Sequence, residues 1–180
     1  MKITGERVIS APRDQVWAAL NDPEVLRKSI PGCESFDRTG DNSYRATVVS
    51  RIGPIQAKFQ GNVTLSELDP PKGYRISGEG TGGAAGGAKG GARVALEPVS
   101  ANTTRLTYDV DAQVSGKLAQ LGSRLIESTA TMMAGQFFSR FEQVVGGKAP
   151  PEASVTVPFW VYVVALLVLG ALIFAAVYAF

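Results

Sequence analysis

IQAKFQGNVTL, residues 55–65, puts Ile55, Ala57, Phe59, Gly61, Val63 and Leu65 at every second position, with Gln56, Lys58, Gln60, Asn62 and Thr64 between them. Side chains alternate between the two faces of a strand, so this spacing describes a strand that is apolar on one side and wet on the other. Upstream, Tyr44, Ala46, Val48 and Ile52 repeat the pattern against Arg45, Thr47 and Arg51. Only Gly53-Pro54 separates the two runs, which fits a two-residue type II′ hairpin with glycine supplying the positive φ. Downstream, Tyr74, Ile76 and Gly78, then Val94 and Leu96, then Leu106, Tyr108, Val110, Ala112 and Val114 continue the alternation. The pattern describes an antiparallel meander with one face to bury.

Such a face needs a cover, and both flanks supply helical patterns. Residues 2–9 read as a strand, after which Ser10-Ala11-Pro12 opens a helix carrying Val16, Trp17 and Leu20, and Asp22-Pro23 breaks it. A second short helix runs from Glu24 to Ser29 and stops before Pro31-Gly32. At the other end, Leu118, Leu121, Leu125, Thr129, Met132, Gln136, Phe137, Phe141 and Val144 fall on or near one side at helical spacing, which predicts one long helix over Lys117 to Val145. Sheet plus covering helix is an α+β sandwich.

Beyond residue 146 the composition changes. Gly146-Gly147-Lys148 and Pro150-Pro151 read as a linker over 147–158. Residues 159–180, FWVYVVALLVLGALIFAAVYAF, carry no charge. As a helix they reach roughly 33 Å at ~1.5 Å per residue, enough to cross a bilayer core. Phe159, Trp160 and Tyr162 at one end and Tyr178 near the other suit the two interfaces. The expected organisation is therefore a domain over 1–146, a linker over 147–158 and a C-terminal transmembrane anchor over 159–180. With no apolar targeting segment in the first residues, the domain is expected to face the cytoplasm from the cytoplasmic membrane.

Composition excludes several chemistries. The chain has 18 Lys+Arg against 16 Asp+Glu with the cations scattered, which argues against nucleic-acid binding. It has no histidine and one cysteine, Cys33. Ser-His-Asp and Cys-His catalysis, His-ligated metals, thiolate clusters and an internal disulfide are therefore ruled out within this chain. No catalytic residue and no metal ligand is assigned. Asp109 and Asp111 read as solvated strand residues, and Cys33 as structural.

The order strand, two short helices, six-strand meander, long helix resembles the helix-grip fold of the START-like (SRPBCC) superfamily. More narrowly, the chain resembles the G-subunit family of carbon monoxide dehydrogenase. The residues that carry this are APRDQVWAALNDPEVLRKSIPGCES at 11–35, ATVVSRIGPIQAKFQGNVTLSELDPPKGYRISGEG at 46–80 and the glycine-rich stretch through Gly91. The resemblance spans roughly 1–146. It implies a curved antiparallel sheet gripping the long helix, and a non-catalytic accessory that helps hold a molybdenum-containing CO dehydrogenase-type enzyme at the membrane. It also implies an apolar cavity between sheet and helix, for which an isoprenoid quinone is the fitting ligand. A tethered lipid-transfer domain without an enzyme partner is the alternative, and an enzyme, since some START-like relatives are cyclases or hydrolases, a third.

Two sets of residues become candidates. The long helix carries Met132, Met133, Phe137, Phe138 and Phe141, and the expected cavity lining is Trp17, Val48, Phe59, Tyr108, Met132, Met133, Phe137 and Phe141. These types equally suit a solid core; small inward residues such as Ala46, Ala57, Gly61 and Gly78 favour a void. The run from Gly78 to Gly91 contains G-x-G-x-x-G at Gly78, Gly80 and Gly83, but the residues after it cannot form the helix that a phosphate site needs. That run reads as a flexible hairpin tip dispensable to the fold, as the mouth of the cavity, or as a partner-docking loop of Gly82, Gly83, Gly86, Gly87 and Lys89.

Overall fold

The structure, a computed structural model, describes Met1–Gly146. The linker and anchor expected over 147–180, including Phe159, Trp160, Tyr162 and Tyr178, lie outside the described residues. Among the described residues no helix is long and apolar enough to cross a membrane.

The chain opens with β1 (Lys2–Ile9), followed by α1 (Arg13–Leu20) and α2 (Pro23–Ser29). Six strands follow: β2 (Cys33–Gly40), β3 (Ser43–Ile52), β4 (Ile55–Asp69), β5 (Gly73–Thr81), β6 (Gly87–Ser100) and β7 (Thr103–Ser115). The long helix α3 (Ser123–Gly146) ends the described chain. The strands form one antiparallel seven-stranded sheet in the order β1-β7-β6-β5-β4-β3-β2. The meander read from the sequence is thus present, and β1 closes it by pairing with β7, placing Ile3 opposite Val110 and Gly5 opposite Tyr108.

Local chemistry fixes the connections. Ile52 pairs with Ile55 across Gly53-Pro54, and Gly53 takes φ +57°, as the two-residue hairpin requires. The Asp22 carboxylate accepts the Glu24 N–H at 2.8 Å and the Val25 N–H at 3.4 Å, with Pro23 at the first helical position. The buried Thr104 hydroxyl donates to the Ala11 carbonyl at 2.8 Å and ties the start of α1 to β7.

Three expectations change. First, α3 starts at Ser123, so it has 24 residues rather than running from Lys117. Residues 119–121 form a 3-10 turn that Gly122 ends at φ +84°. Leu118 leaves the helical stripe because its side chain is buried and its N–H donates to the Ala85 carbonyl. Second, the glycine run is mostly sheet. Gly78 pairs with Gly90 and Gly80 with Ala88, and only Gly82–Gly86 connects the strands, around a short 3-10 turn. Ala85 in that turn is buried, so the segment is built into the fold and is not a dispensable tip. Third, β2 lacked a readable alternation. Phe36 is its one buried residue, and pairing with β3 defines the strand instead.

The solid core lies at the C-terminal half of α3. Phe141 is fully buried with Val145 among Ile9, Val16, Leu20, Leu96 and Leu106. Met132 is 53% exposed on the same helix. Phe141→Ala is therefore expected to cost about 3–5 kcal/mol and Met132→Ala well under 1 kcal/mol, read from urea midpoints.

Candidate ligand-binding cavity

Between the concave face of the sheet and α3 lies an apolar cavity of about 440 Å³. That volume is within the range of small-molecule sites, roughly 300–1,000 Å³. Its sheet wall carries Tyr44 from β3, Val63 and Leu65 from β4, Tyr74 and Ile76 from β5, Ala92 and Val94 from β6, and Leu106, Tyr108 and Val110 from β7. Met133, Ala134, Phe137 and Phe138 of α3 form the opposite wall. Leu20, Leu26, Ile30, Pro31 and Phe36 close the side toward α1, α2 and β2. None of these residues is charged, and the only side-chain oxygens are three tyrosine hydroxyls.

Side-chain size leaves this space. Ala92 on the sheet and Ala134 on the helix line it with single methyl groups. The ring of Tyr108 stacks on Phe138, centroids 5.6 Å apart, and Phe137 lies edge-on to Phe138 at 5.1 Å. Gly5 is what lets Tyr108 lie there: a Cβ on residue 5 would collide with the phenol ring. Arg7 covers the outside of this wall, its guanidinium 5.8 Å from the Phe138 centroid. Burial raises the Glu142 carboxyl above its ordinary range, opposed by Arg7.

Along the inner face the wall continues past Val63, Ile76 and Ala92 onto Gly61, Gly78, Gly80, Ala88 and Gly90, paired directly across β4, β5 and β6. Ala88 and Gly90 are exposed, so this end of the concave face is uncovered. The opposite face of the sheet carries a larger groove of about 560 Å³, lined by Asn62, Thr64, Ser77, Glu79, Lys89, Asp111 and Gln113. Its walls are ordinary ladder side chains, and nothing in it converges on one point. The apolar cavity is the stronger candidate.

Of the expected lining, Tyr108, Met133 and Phe137 reach the cavity, and Phe138 joins them. The other five do not. Trp17 is half-buried behind the wall, edge-to-face with Tyr74 at 5.5 Å. Phe141 is sealed in the solid core. Met132 points out because it is one residue off the buried stripe of Thr129, Met133 and Phe137. Val48 and Phe59 pair with each other farther along the concave face, where Phe59 packs on Gly82. In the expected docking loop, Gly82, Gly83 and Gly86 form the tight β5–β6 connection, whereas Gly87 and Lys89 lie in β6, Lys89 paired with Glu79 and Gln113. Sequence reading missed Leu26 and Ile30, since α2 is too short to show a period. Tyr44 and Tyr74 were legible as inward residues but were not assigned to the cavity.

The three hydroxyls are distinguishable by their surroundings. Tyr44 accepts from Arg38 Nη2 at 3.2 Å, and the guanidinium also donates to the Asn21 carbonyl. Tyr108 is half-buried, with its ring end against Gly5. Tyr74 is 6% exposed. Burial raises its phenol well above the ordinary 10.0, and the nearby Tyr44 adds to the rise. Among the described residues, the three-or-more groups of His, Cys, Asp or Glu that hold metals do not occur. Burial likewise raises the Cys33 thiol, which disfavours the reactive thiolate.

A curved antiparallel sheet wrapped on a long C-terminal helix, with an apolar pocket between them, defines a START-like domain of the helix-grip class. The chain belongs to the carbon monoxide dehydrogenase G-subunit (CoxG) family, whose model matches residues 5–146. No curated protein matches it. Among solved structures it is similar to a conserved protein from Geobacillus kaustophilus, at 27% identity and TM-score 0.78, covering 82% of this chain and 96% of that one. It shares the fold of a START superfamily protein from Mycobacterium smegmatis, with 15% identity, TM-score 0.61 and 81% and 97% coverage. An aromatase/cyclase from Streptomyces sp. R1128 gives 14% identity, TM-score 0.60 and 86% and 99% coverage.

A phenol held neutral by burial stabilises the fold fully below its unfolded pKa. That contribution is lost progressively as the pH rises above about 10, where the unfolded chain ionises, toward the higher folded value. The drop in urea midpoint between about pH 9 and 11 is expected to be smaller in Tyr74→Phe than in the parent chain.

Proposed function

We propose that this chain is a non-catalytic accessory that binds a hydrophobic ligand, an isoprenoid quinone being the favoured kind, beside a CO dehydrogenase-type molybdenum hydroxylase. The 440 Å³ apolar cavity is the observation that carries the ligand half of this reading. Its uncharged walls provide no general acid or base tuned to neutral pH, and no histidine exists in the chain to supply one. Binding and presentation are what such a space does. Family membership supports the enzyme partner.

The membrane half rests on the sequence of 159–180, which is uncharged and long enough to span a bilayer as a helix. A ligand soluble only in lipid and a domain tied to lipid are mutually consistent: the tether keeps the cavity where its ligand is dissolved. In this reading the soluble domain faces the cytoplasm, and the glycine-rich β5–β6 connection with Lys89 is the surface offered to the enzyme. A lipid-binding domain with no enzyme partner shares the cavity but not the recruitment.

Full-length protein recovered from native membranes is expected to carry a quinone in native mass spectra and to co-purify with the hydroxylase. Ala134→Phe, which fills the cavity, is expected to lose the quinone and keep the partner. Truncation after Gly147 is expected to move both proteins to the soluble fraction. Recovery of phospholipid without any enzyme would instead favour the lipid-binding alternative, and a ligand-free, partner-free cytosolic protein would refute both.

A further inference from the structure

At one end of the sheet two strands go on alone. β2 begins at Cys33, opposite Val48, and β5 ends at Thr81, opposite Gln60. Past those rows β3 and β4 pair only with each other, Ser50 with Ala57, Arg51 with Gln56 and Ile52 with Ile55. From Gln60 to Ile55 this two-stranded arm reaches roughly 17 Å beyond β5. A lone two-stranded ribbon is marginal in water, and the start of α3 supports this one. The Ser50 hydroxyl donates to the Met133 sulfur at 3.6 Å, and a Cβ on Gly53 would press on Leu125.

The tip is greasier than a turn in water needs to be. Two-residue hairpins commonly set Asn or Asp beside the glycine, whereas this one reads Ile52-Gly53-Pro54-Ile55. Pro54 is exposed, the two isoleucines are half-buried, and Leu125 beside them is 37% exposed. Met132, two turns farther along the same side of α3, is also exposed. Cations flank these side chains. Arg51 Nε donates to the Gly53 carbonyl at 3.2 Å, which holds the guanidinium at the turn. Arg124 precedes Leu125 on the helix. Among the described residues neither arginine forms an ion pair, whereas Lys58 on the same arm is neutralised by Glu34 at 2.7 Å. Against the two arginines stands one acid on the first turns of α3, Glu127.

Apolar side chains flanked by unpaired arginines match the boundary between phospholipid head groups and acyl chains. A protein partner fits less well, because so few side chains fall short of the ~1,000 Å² that a specific protein interface needs. A bilayer requires less when the domain is already tethered to it, since the tether raises the local concentration of the arm. We infer that the β3–β4 arm and the first turns of α3 dock on an anionic phospholipid bilayer. Ile52, Pro54, Ile55 and Leu125 enter the head-group region, and Arg51 and Arg124 pair with lipid phosphates. This docking rests on the membrane reading of 159–180 and adds to it a second contact, made by the domain itself. Met133 belongs both to the arm's support and to the cavity wall, so docking brings that wall to the lipid.

Full-length protein in nanodiscs tests it. In a Cys33→Ser background, an environment-sensitive fluorophore is attached at Pro54→Cys or at Gln56→Cys on the arm, and at Ala101→Cys in the β6–β7 turn as control. Urea midpoints close to the parent's identify the labelled chains that keep the fold, and the two arm sites stand in for each other. In bilayers of phosphatidylcholine with about 30% phosphatidylglycerol and brominated acyl chains, the arm probes are expected to be quenched at least about twofold and the control left unchanged. Arg51→Gln combined with Arg124→Gln is expected to lower the docked-to-free ratio roughly 10- to 30-fold while the protein stays in the nanodisc. Unquenched arm probes on protein that co-elutes with the nanodisc overturn the docking and leave the tether standing. Equal quenching of arm and control means unoriented contact and overturns it as well. Quenching that survives the double arginine change overturns the phosphate contacts. Arm probes shielded only after the hydroxylase is added make the arm an enzyme contact and overturn the bilayer. Protein that does not co-elute with the nanodisc overturns tether and docking together.

Discussion

The two faces of the sheet cannot be treated alike by water. One carries lysine, arginine, asparagine and glutamine along β3 to β7; the other carries Val63, Leu65, Ile76, Val94, Leu106 and Val110. Burying the second face is the main favourable term available to a domain of this size. One helix is the cover, and a cylinder about 10 Å across is narrower than seven strands spaced roughly 4.8 Å apart. Coverage is therefore unequal. At one end α1 and the last turns of α3 fill the gap completely around Phe141. Toward the middle, the helix presents Ala134 where the sheet presents Ala92, and the space between stays open.

That inequality divides solid core from open cavity along a single helix. Phe141 and Val145 belong to the closed end and hold α3 against β1 and α1. One turn earlier, Phe137 and Phe138 are shared, touching the core on one side and the cavity on the other. Aromatic stacking of Phe138 on Tyr108, backed by Arg7, makes this boundary a stiff wall. A rigid, preformed pocket binds an apolar ligand without first having to order its own side chains.

The glycine-rich segment has a structural account of its own. Its residues pair in strands, and their value is the absence of side chains at the uncovered end of the concave face. Large apolar residues there would form an exposed greasy patch with no helix above them. Small residues keep the face quiet in water.

The sequence determined the strands other than β2, their faces and the presence of the final helix, because periods of two and of nearly four are local properties of the chain. It also determined what the protein lacks, since absent histidine cannot be restored by folding. It located the hydrophobic tail for the same reason. It did not determine where α3 begins, because Gly122 and the Leu118–Ala85 contact act through residues far apart in the chain. Nor did it tell core from cavity. Met132 and Met133, or Phe137 and Phe141, are equivalent as residue types. Only packing against β7, α1 and α2 decides which one meets solvent, which is sealed and which faces an empty volume. Tyr74 belongs to that last group: its inward direction was legible, but its place in the cavity wall, edge-on to Trp17, is set by side chains that only the tertiary fold brings near.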